Sequence, residues 1–414
     1  MATLLKRIFT AFDPPSAEKK NDAIKIGILG AARTAILTQN SPMSLIVPAK
    51  SHPEVIVQAI SARDRTRAEE FAKKHGIPQV MDSYQEILDD PNIDAIFIPL
   101  PNTLHMEWAM RSIRAGKHVL LEKPSVNNEA EAARLFNMPE LSQPNAPVLL
   151  EAFHNRFHPA IQLLHSFVTP ADVVHVYADG MVPWAYTSKE DIGFNYRMGG
   201  GSMMHMGTYL FAMIRAIYGT EPEECLSVDY HVFGDGEHDK CDYAARATFR
   251  FPNGGIAESY GTLRGPLLWK PSEVRVTHKE VAVDDPSLPK TQEKVRTRHV
   301  TMHGFMHAVV WHRIDVKDSY AIRSKADGSP IKNWTESKTY KAYTFKEAGG
   351  EFAHLPGEDW WMSYRHQLEQ FVNRIKGRGT QYWISPEDSI KQMRMVDMAY
   401  EKSGLGLRPT SSFQ

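Results

Sequence analysis

The stretch IKIGILG, residues 24–30, is a short apolar run that ends in glycine. Similar runs follow at residues 55–61 (VIVQAIS), 93–101 (IDAIFIPLP), 118–124 (HVLLEKP) and 147–153 (PVLLEAF), with amphipathic stretches between them. Apolar runs that do not alternate are typical of strands buried on both faces, and intervening amphipathic helices imply parallel crossovers. The sequence therefore predicts an α/β fold whose first domain, residues 23–153, is a doubly wound parallel sheet.

The pattern changes after residue 153. Segments such as VVHVYADGMV and SEVRVTHKEVAV are rich in β-branched residues and are separated by turn signals, which predicts a large, mostly antiparallel sheet over residues 154–355. Residues 356–414 read as helices packing back on the body, with Ser385 as an N-cap, Pro386 at the first helical position and Gly404 as the stop. Residues 1–22 are expected to form an N-terminal arm; a transit peptide is the less favoured interpretation.

The composition narrows the classes of partner. The chain has 414 residues, and its 48 lysines and arginines nearly balance its 49 aspartates and glutamates, which argues against a nucleic-acid or membrane partner. Only two cysteines occur, Cys225 and Cys241, as expected in a reducing compartment. No apolar run approaches the length of a bilayer span, so a cytoplasmic location and a small-molecule partner are expected.

The turn GILGAARTA, residues 27–35, opens the first βαβ unit. A dinucleotide site needs a tight glycine turn, close approach of the backbone to the pyrophosphate and a helix N-terminus facing it. Gly30 holds the first fingerprint position, while Ala32 and Ala35 replace the later glycines, so an ordinary strand-to-helix turn is an equal alternative on this stretch alone. We predict that Gly30, Ala32 and Arg33 contact a cofactor.

The segment SARDRTRA, residues 61–68, indicates which dinucleotide is bound. A 2′-phosphate is best held by guanidinium groups, whereas NAD is held by an acidic residue at this strand end. Arg63 is placed to face the phosphate, with Arg65 or Arg67 in support and one of the two expected on a solvated helix face. The pattern favours NADP, and Asp64 keeps NAD as the alternative.

Two further segments carry candidate catalytic groups. In LLEKPS, residues 120–125, Lys123 lies at the carboxyl end of a buried strand, where its ammonium would stabilise charge on a reacting oxygen or lower the pKa of a nearby phenol. In GGGSMMHMGTY, residues 199–209, His205 and Tyr209 are four residues apart, which places them on one face of a helix.

These segments, together with PLPNTLH and LLEAFHNRFHP, resemble the Gfo/Idh/MocA oxidoreductases from residue 24 to about residue 404, and most closely the branch that contains dimeric dihydrodiol dehydrogenase and NADP-dependent D-xylose dehydrogenase. The resemblance implies an N-terminal Rossmann domain, a C-terminal α/β domain with a large open sheet used to form homodimers or larger homo-oligomers, and an active site between them.

The resemblance also implies roles for individual residues. It makes Lys123 the lysine beside the nicotinamide and Tyr209 the residue that transfers a proton. The remaining residues expected around the cofactor are Leu100, Pro101, Asn102, His105 and Glu122. The residues expected near the substrate are His154, Arg156, Arg197 and His205.

Two residues depart from the family pattern. His205 stands where aspartate is usual, and His154 stands where this branch usually has tryptophan. Because histidine titrates near neutrality, His205 is a further candidate for proton relay. The expected activity is NADP-dependent hydride transfer to or from a sugar, dihydrodiol or related small molecule. The alternatives are reduction of a ketone or imine in a specialised pathway, a non-catalytic nucleotide-binding protein, and NAD-dependent glycoside cleavage.

Two other clusters receive a structural interpretation. His299, His303, His307 and His312 lie close together in sequence, but strand alternation would scatter them, so no metal site is predicted. In residues 359–375 the apolar spacing predicts a core helix, with substrate contact by Trp360 or Tyr364 as a minority interpretation.

Overall fold

The structure is a computed structural model that describes residues 2–31, 42–268 and 270–413. Within these ranges the backbone forms two sheets that share an extensive apolar core. The predicted cofactor residues Ala32 and Arg33 lie outside the described residues. None of the helices in the described ranges is both long and apolar enough to cross a membrane.

The first sheet is built from the apolar runs of the N-terminal half. Its six strands are ordered β3-β2-β1-β4-β5-β6 and every pairing is parallel. This order places the crevice of a doubly wound fold at the carboxyl ends of the strands, between β1 and β4, where the strand order reverses. The strands are β1 Ile24–Leu29, β2 Val55–Ser61, β3 Gln79–Val80, β4 Ala95–Ile98, β5 His118–Leu121 and β6 Leu149–Glu151.

The second sheet has nine strands in the order β15-β14-β13-β11-β7-β10-β9-β8, with β12 beside β13. Only the β7–β10 pairing is parallel. The strands are β7 Val173–Pro183, β8 Glu224–His231, β9 Ala244–Arg250, β10 Ile256–Gly265, β11 Glu273–His278, β12 Val281–Val283, β13 Gln292–His303, β14 Arg313–Ser324 and β15 Pro330–Tyr340.

The helices lie around both sheets, and the last two link them. Helix α10 packs on α2 beside the first sheet, whereas α11 packs on α6, α8 and β8. The α-helices are α1 Ala2–Phe12, α2 Val47–Lys50, α3 Arg65–His75, α4 Tyr84–Asp89, α5 Asn102–Arg114, α6 Glu129–Phe136, α7 Pro159–Ser166, α8 Thr208–Tyr218, α9 Phe345–Ala348, α10 Ser363–Ile375 and α11 Pro386–Ser403.

The predicted fold class, a doubly wound parallel sheet followed by a domain with a large, mostly antiparallel sheet, is confirmed. The signals for the last helix are also confirmed: the Ser385 side chain accepts a hydrogen bond from the amide of Asp388, and Gly404 ends α11 with a φ of 76°. At the other end of the chain, α1 contacts the body through Ala11, which packs with Val309 and Met362.

The triglycine turn is anchored by the buried carboxylate of Asp242. One carboxylate oxygen accepts a hydrogen bond from the amide of Met203 at 2.8 Å, and the other accepts one from the Tyr400 hydroxyl at 3.0 Å. Arg408 lies 3.6 Å from the same carboxylate, and both side chains are fully buried. At Gly201, where φ is +131°, any Cβ would lie only 2.6 Å from this carboxylate, so the turn requires glycine.

The C-terminal tail follows Arg408 across the first domain. The side-chain amide of Asn127 donates to the carbonyl of Pro409 at 2.8 Å, and that of Asn128 donates to the carbonyl of Arg408 at 3.1 Å. Both asparagines follow β5 just before α6. The tail therefore connects the triglycine turn of the second domain to the loop between β5 and α6 of the first.

Replacing Arg408 with methionine should destabilise the protein strongly. The substitution leaves the Asp242 carboxylate buried without its cation, and breaking a buried pair in this way costs about 3–5 kcal/mol. Urea unfolding followed by circular dichroism would measure the change. Arg394, which is exposed on α11, gives the matched control: Arg394→Met should change the free energy of unfolding by less than about 0.5 kcal/mol. Equal effects of the two substitutions would contradict the anchoring role.

Candidate active site

Two clefts meet at His205 and Ile192. One is a groove of about 1140 Å³ along the carboxyl ends of the first sheet. The other is a cavity of about 1100 Å³, open to solvent, between the second sheet and the segment that carries Tyr209. His205 and Ile192 line both. A molecule extended along the groove would therefore end beside the cavity.

The groove has the features of a dinucleotide site. Gly30 has a φ of +108°, and a Cβ at this position would lie 3.0 Å from the Leu100 side chain. Glycine therefore leaves the main chain without a side chain at the point where β1 meets the groove. Such a turn lets a pyrophosphate approach the main chain closely. Gly30, Leu100, Pro101 and Asn102 all line the groove, as do Arg63, Asp64 and Arg67.

The three arginines after β2 have different environments. Arg63 and Arg67 line the groove, whereas Arg65 forms ion pairs with Glu69 and Asp82. The carboxylate of Asp64 caps α3 by accepting a hydrogen bond from the Arg67 amide at 3.1 Å. Two guanidinium groups are thus placed to hold a phosphate at the end of β2, and Arg65 is the one on the solvated helix face.

His105 and Glu122 lie beneath the groove rather than in it. Both are buried, and neither is among the groove-lining residues. The ring nitrogens of His105 lie 2.9 Å from the Pro124 carbonyl and 2.7 Å from the Leu100 carbonyl. Burial lowers the pKa of His105 to about 4, although the two carbonyls oppose the shift. His105 therefore braces the two loops that border the site.

Lys123 is the buried cation at the junction. Its Nζ lies 4.1 Å from the centre of the Tyr209 ring and donates a hydrogen bond to the His205 carbonyl at 3.1 Å. Burial lowers the pKa of Lys123 to about 8, while Glu122 and Glu151 oppose the shift. The ammonium therefore contacts the face of the phenol ring and links the loop after β5 to the Tyr209 segment.

Tyr209 lies in the first turn of α8, and its hydroxyl is hydrogen-bonded to Nε2 of His154 at 3.0 Å. Burial raises the pKa of Tyr209 well above its usual value, and Tyr364 and Glu122 add to the effect. Desolvation therefore dominates the net shift, and the expected lowering of this pKa by Lys123 stays a prediction. At neutral pH the phenol keeps its proton.

His205 does not titrate near neutrality, so the expectation of a neutral-range proton relay is wrong. Burial lowers the pKa of His205 to about 3, and the nearby cations Lys123 and Arg408 act in the same direction. The residue lies in a π-helical turn, Met203–Gly207, that precedes α8. The structure presents a neutral imidazole to both clefts.

Of the four residues expected near the substrate, only His205 lines the cavity. His154 is buried and contacts Tyr209 instead. Arg156 is drawn into an ion pair with Asp388 at 2.8 Å and lines a separate surface cleft. Arg197 is exposed, and its carbonyl accepts a hydrogen bond from Thr103. These residues are expected near the substrate because they lie in or next to the matching motifs. Partners far away in the sequence determine where their side chains lie.

Two cavity residues had weak signals in the sequence. His307 lies in the stretch with four neighbouring histidines, and Tyr364 lies in the aromatic segment, in the first turn of α10; both line the cavity. Of the other three histidines, His299 and His303 are in β13, and His312 is buried with its Nδ1 2.7 Å from the Ala308 carbonyl. Among the described residues no group of three or more metal-ligating side chains comes together.

Comparison with known families identifies both halves of the chain. Residues 24–143 match the Gfo/Idh/MocA description "oxidoreductase family, NAD-binding Rossmann fold", and residues 171–266 match the "GFO/IDH/MocA C-terminal domain". The two matches together cover more than half of the 414 residues.

Three curated proteins illustrate the similarity. An uncharacterized oxidoreductase of Rhizobium meliloti is 31% identical over 66% of this chain and 78% of its own length. A D-xylose 1-dehydrogenase (NADP(+)) of Haloferax volcanii is 34% identical over 47% of this chain and 57% of its own length. The trans-1,2-dihydrobenzene-1,2-diol dehydrogenase of Sus scrofa is 28% identical over 67% of this chain and 79% of its own length.

Among solved structures, the fold is similar to that of a 3-ketoreductase from Actinomadura kijaniata in complex with NADP and TDP-benzene. The TM-score is 0.63 at 20% identity, with 92% of this chain and 98% of that chain covered. At this identity the likeness shows the shared fold.

The arginines of the groove predict selective binding of a phosphorylated dinucleotide. Arg63→Ala should weaken NADPH binding by about tenfold or more, because a charge-assisted contact to phosphate is lost, and should change NADH binding little. Isothermal calorimetry with both nucleotides would measure the two dissociation constants. Arg65→Ala is the matched control, since Arg65 pairs with Glu69 and Asp82, and it should leave both constants near those of the wild type. Equal weakening of NADPH and NADH by Arg63→Ala would contradict the assignment.

Proposed function

The chain belongs to the Gfo/Idh/MocA oxidoreductase family, and we propose that it catalyses a reversible, NADP-dependent interconversion of a carbonyl and an alcohol in a small molecule. The observation that carries this proposal is the junction of the two clefts, where Lys123 packs on the Tyr209 ring at 4.1 Å beside His205. A cation and a neutral phenol at the end of a dinucleotide groove are the groups that such a reaction needs.

The nicotinamide, when bound, supplies or accepts the hydride. The residues of this chain transfer the proton and stabilise the charge that develops on the reacting oxygen. In reduction, Tyr209 gives its proton to the developing alkoxide, and the Lys123 ammonium stabilises the negative charge that forms there. His205, held neutral, offers one donor and one acceptor to the reacting group. In oxidation Tyr209 takes the proton back.

The groove supports NADP as the cofactor. Arg63 and Arg67 supply the guanidinium groups that a 2′-phosphate requires, and Asp64 is engaged in capping α3. Gly30 keeps the backbone accessible to the pyrophosphate. The D-xylose dehydrogenase relative from Haloferax volcanii is also named for NADP.

The cavity walls favour a substrate with an apolar ring over a sugar. A sugar presents several hydroxyl groups, and each needs a partner when it is buried. Four polar wall residues outside the Lys123–Tyr209 junction already use part of their hydrogen-bonding capacity within the protein: Asp191 accepts from the Gly193 amide, Thr187 donates to the Leu263 carbonyl, Ser272 accepts from the Met306 amide, and Lys270 pairs with Asp179. The apolar wall residues are Met181, Val182, Ile192, Phe194, Leu263, Met206, Met306 and Trp311.

A cyclic dihydrodiol or an aryl ketone therefore fits better than a pentose. This agrees with the dihydrobenzenediol dehydrogenase among the relatives. A panel of dihydrodiols, aromatic ketones, diketones and aldoses, assayed for NADPH formation and consumption, tests the choice directly. Turnover of aldoses alone would overturn it.

We also infer a homo-oligomer that forms through the open face of the second sheet. Along β15, Pro330–Tyr340, most side chains are exposed. Sedimentation velocity would give the number of subunits in the assembly. The cytoplasmic location of the protein stays a prediction.

Removing either catalytic candidate should abolish most of the turnover. Lys123→Met and Tyr209→Phe should each lower kcat by about two orders of magnitude, because charge stabilisation or proton transfer is lost, while NADPH still binds. The matched control is Tyr218→Phe on the same helix: Tyr218 is buried and donates to the Ile256 carbonyl away from both clefts. Near-normal kcat in both site variants would refute these roles.

The pKa of Lys123 predicts how reduction depends on pH. With its pKa lowered to about 8, Lys123 is charged below that pH and loses its charge as the pH rises through it. The value of kcat/KM for reduction should therefore be level below about pH 7 and fall above about pH 8. Lys123→Arg should lose this descending limb even if it is slower, because arginine stays charged. A rate that stays level to about pH 10 in the wild type would contradict the assignment.

A further inference from the structure

A buried hydrogen-bonded chain joins Tyr209 to the start of α10. The Tyr209 hydroxyl lies 3.0 Å from Nε2 of His154, and Nδ1 of His154 lies 2.7 Å from Oγ of Ser363. His154 is 1% exposed and Ser363 is 3% exposed. Each ring nitrogen of His154 therefore has one protein partner and is shielded from water.

The imidazole ring of His154 is also held by stacking. Its centre lies 3.8 Å from that of Tyr364 with an interplanar angle of 27°, and 5.8 Å from that of His307 with an angle of 19°. Both of these neighbours line the cavity, but His154 does not. The ring thus lies outside the substrate's reach and acts through its neighbours, and the one of these that it hydrogen-bonds at the reaction centre is Tyr209.

The protonation state of His154 limits its hydrogen bonding. Burial lowers its pKa well below the usual value, so the ring is neutral. A neutral imidazole has one donor nitrogen and one acceptor nitrogen. Either Nε2–H donates to the Tyr209 oxygen while the Ser363 hydroxyl donates to Nδ1, or both bonds run the other way.

Only the first arrangement is compatible with proton transfer from Tyr209 to a substrate. If the phenol donated to His154, its hydrogen would point at the imidazole rather than into the cavity. If His154 donates, the phenol hydrogen is free, and the phenolate formed by the reaction keeps a hydrogen-bond donor.

We propose that His154, oriented by Ser363, is a positioning residue that donates a hydrogen bond to the Tyr209 oxygen and so directs the phenol hydrogen at the substrate. This inference rests on the proposed role of Tyr209. In reduction the Tyr209 O–H bond breaks as the O–H bond of the product forms, and His154 keeps its proton throughout.

Other titratable groups surround the pair and contribute to the same electrostatics. Lys123 is the cation that faces the phenol ring. The remaining groups that act on Tyr209 or His154 come from several elements, and they are Glu122, His158, His307 and Tyr364.

Nitrogen NMR of the cofactor-free protein tests the direction of the bond without any turnover. In protein labelled with ¹⁵N-histidine at neutral pH, the signals that disappear in His154→Phe belong to His154. We expect the tautomer protonated at Nε2 in the wild type and loss of that preference in Ser363→Ala, with Ser363→Thr restoring it. A ring protonated at Nδ1 in the wild type would overturn the proposal.

The pH dependence of alcohol oxidation supplies the kinetic test, because oxidation uses the phenolate as base. Loss of the donated hydrogen bond should move the pH of half-maximal oxidation up by about one to two units in His154→Phe, which keeps the aromatic stack. Ser363→Ala should also move the pH of half-maximal oxidation up. In the double variant with His154→Phe, Ser363→Ala should cause little further change in that pH. An unchanged midpoint in His154→Phe would overturn the proposal.

A matched control separates this role from general packing. His165, on α7, is a half-buried histidine that lines neither cleft, so His165→Phe should leave the oxidation midpoint unchanged. An equal shift in His165→Phe would overturn the proposal. If the wild type oxidised no substrate, the proposed function would fail, while the nitrogen spectrum would still decide which atom donates.

Discussion

The buried carboxylate of Asp242 is the interaction on which the architecture of the site depends. The carboxylate accepts hydrogen bonds from the Met203 amide and the Tyr400 hydroxyl and forms an ion pair with Arg408. It thereby joins the triglycine turn, α11 and the C-terminal tail at one point. Removing charge from water is costly, and here several partners offset that cost together. The turn held in this way leads directly into the π-helical segment and α8, and thereby fixes where His205 and Tyr209 lie.

Burial also determines the charge pattern of the site. Desolvation keeps the surrounding histidines neutral, including His154, His205 and His307, and it keeps the Tyr209 phenol protonated. Burial also lowers the pKa of Lys123, but two buried glutamates oppose the shift and the pKa stays at about 8, so the group is charged at neutral pH. The Lys123 cation thus faces a group of neutral donors and acceptors, an arrangement that would stabilise a transient negative oxygen with little reorganisation.

Much of the fold could be predicted from the sequence, because strands buried on both faces and helix caps have local signals. The parallel sheet, the glycine turn at Gly30 and the cap at Ser385 are of this kind. The environment of a side chain depends on distant partners. Arg156 forms an ion pair with Asp388 of α11, and His154 is hydrogen-bonded to Ser363, which is more than two hundred residues away in the sequence. The lowered pKa of His205 likewise comes from burial and from cations elsewhere in the chain.

The tail that crosses from Arg408 to Asn127 and Asn128 has a consequence for how the protein matures. Domains fold as the chain emerges from the ribosome, N-terminal parts first. The parallel sheet has all its strands long before the residues that lock the triglycine turn are made. The turn that leads to His205 and Tyr209 can therefore be locked only after Arg408 has been synthesised.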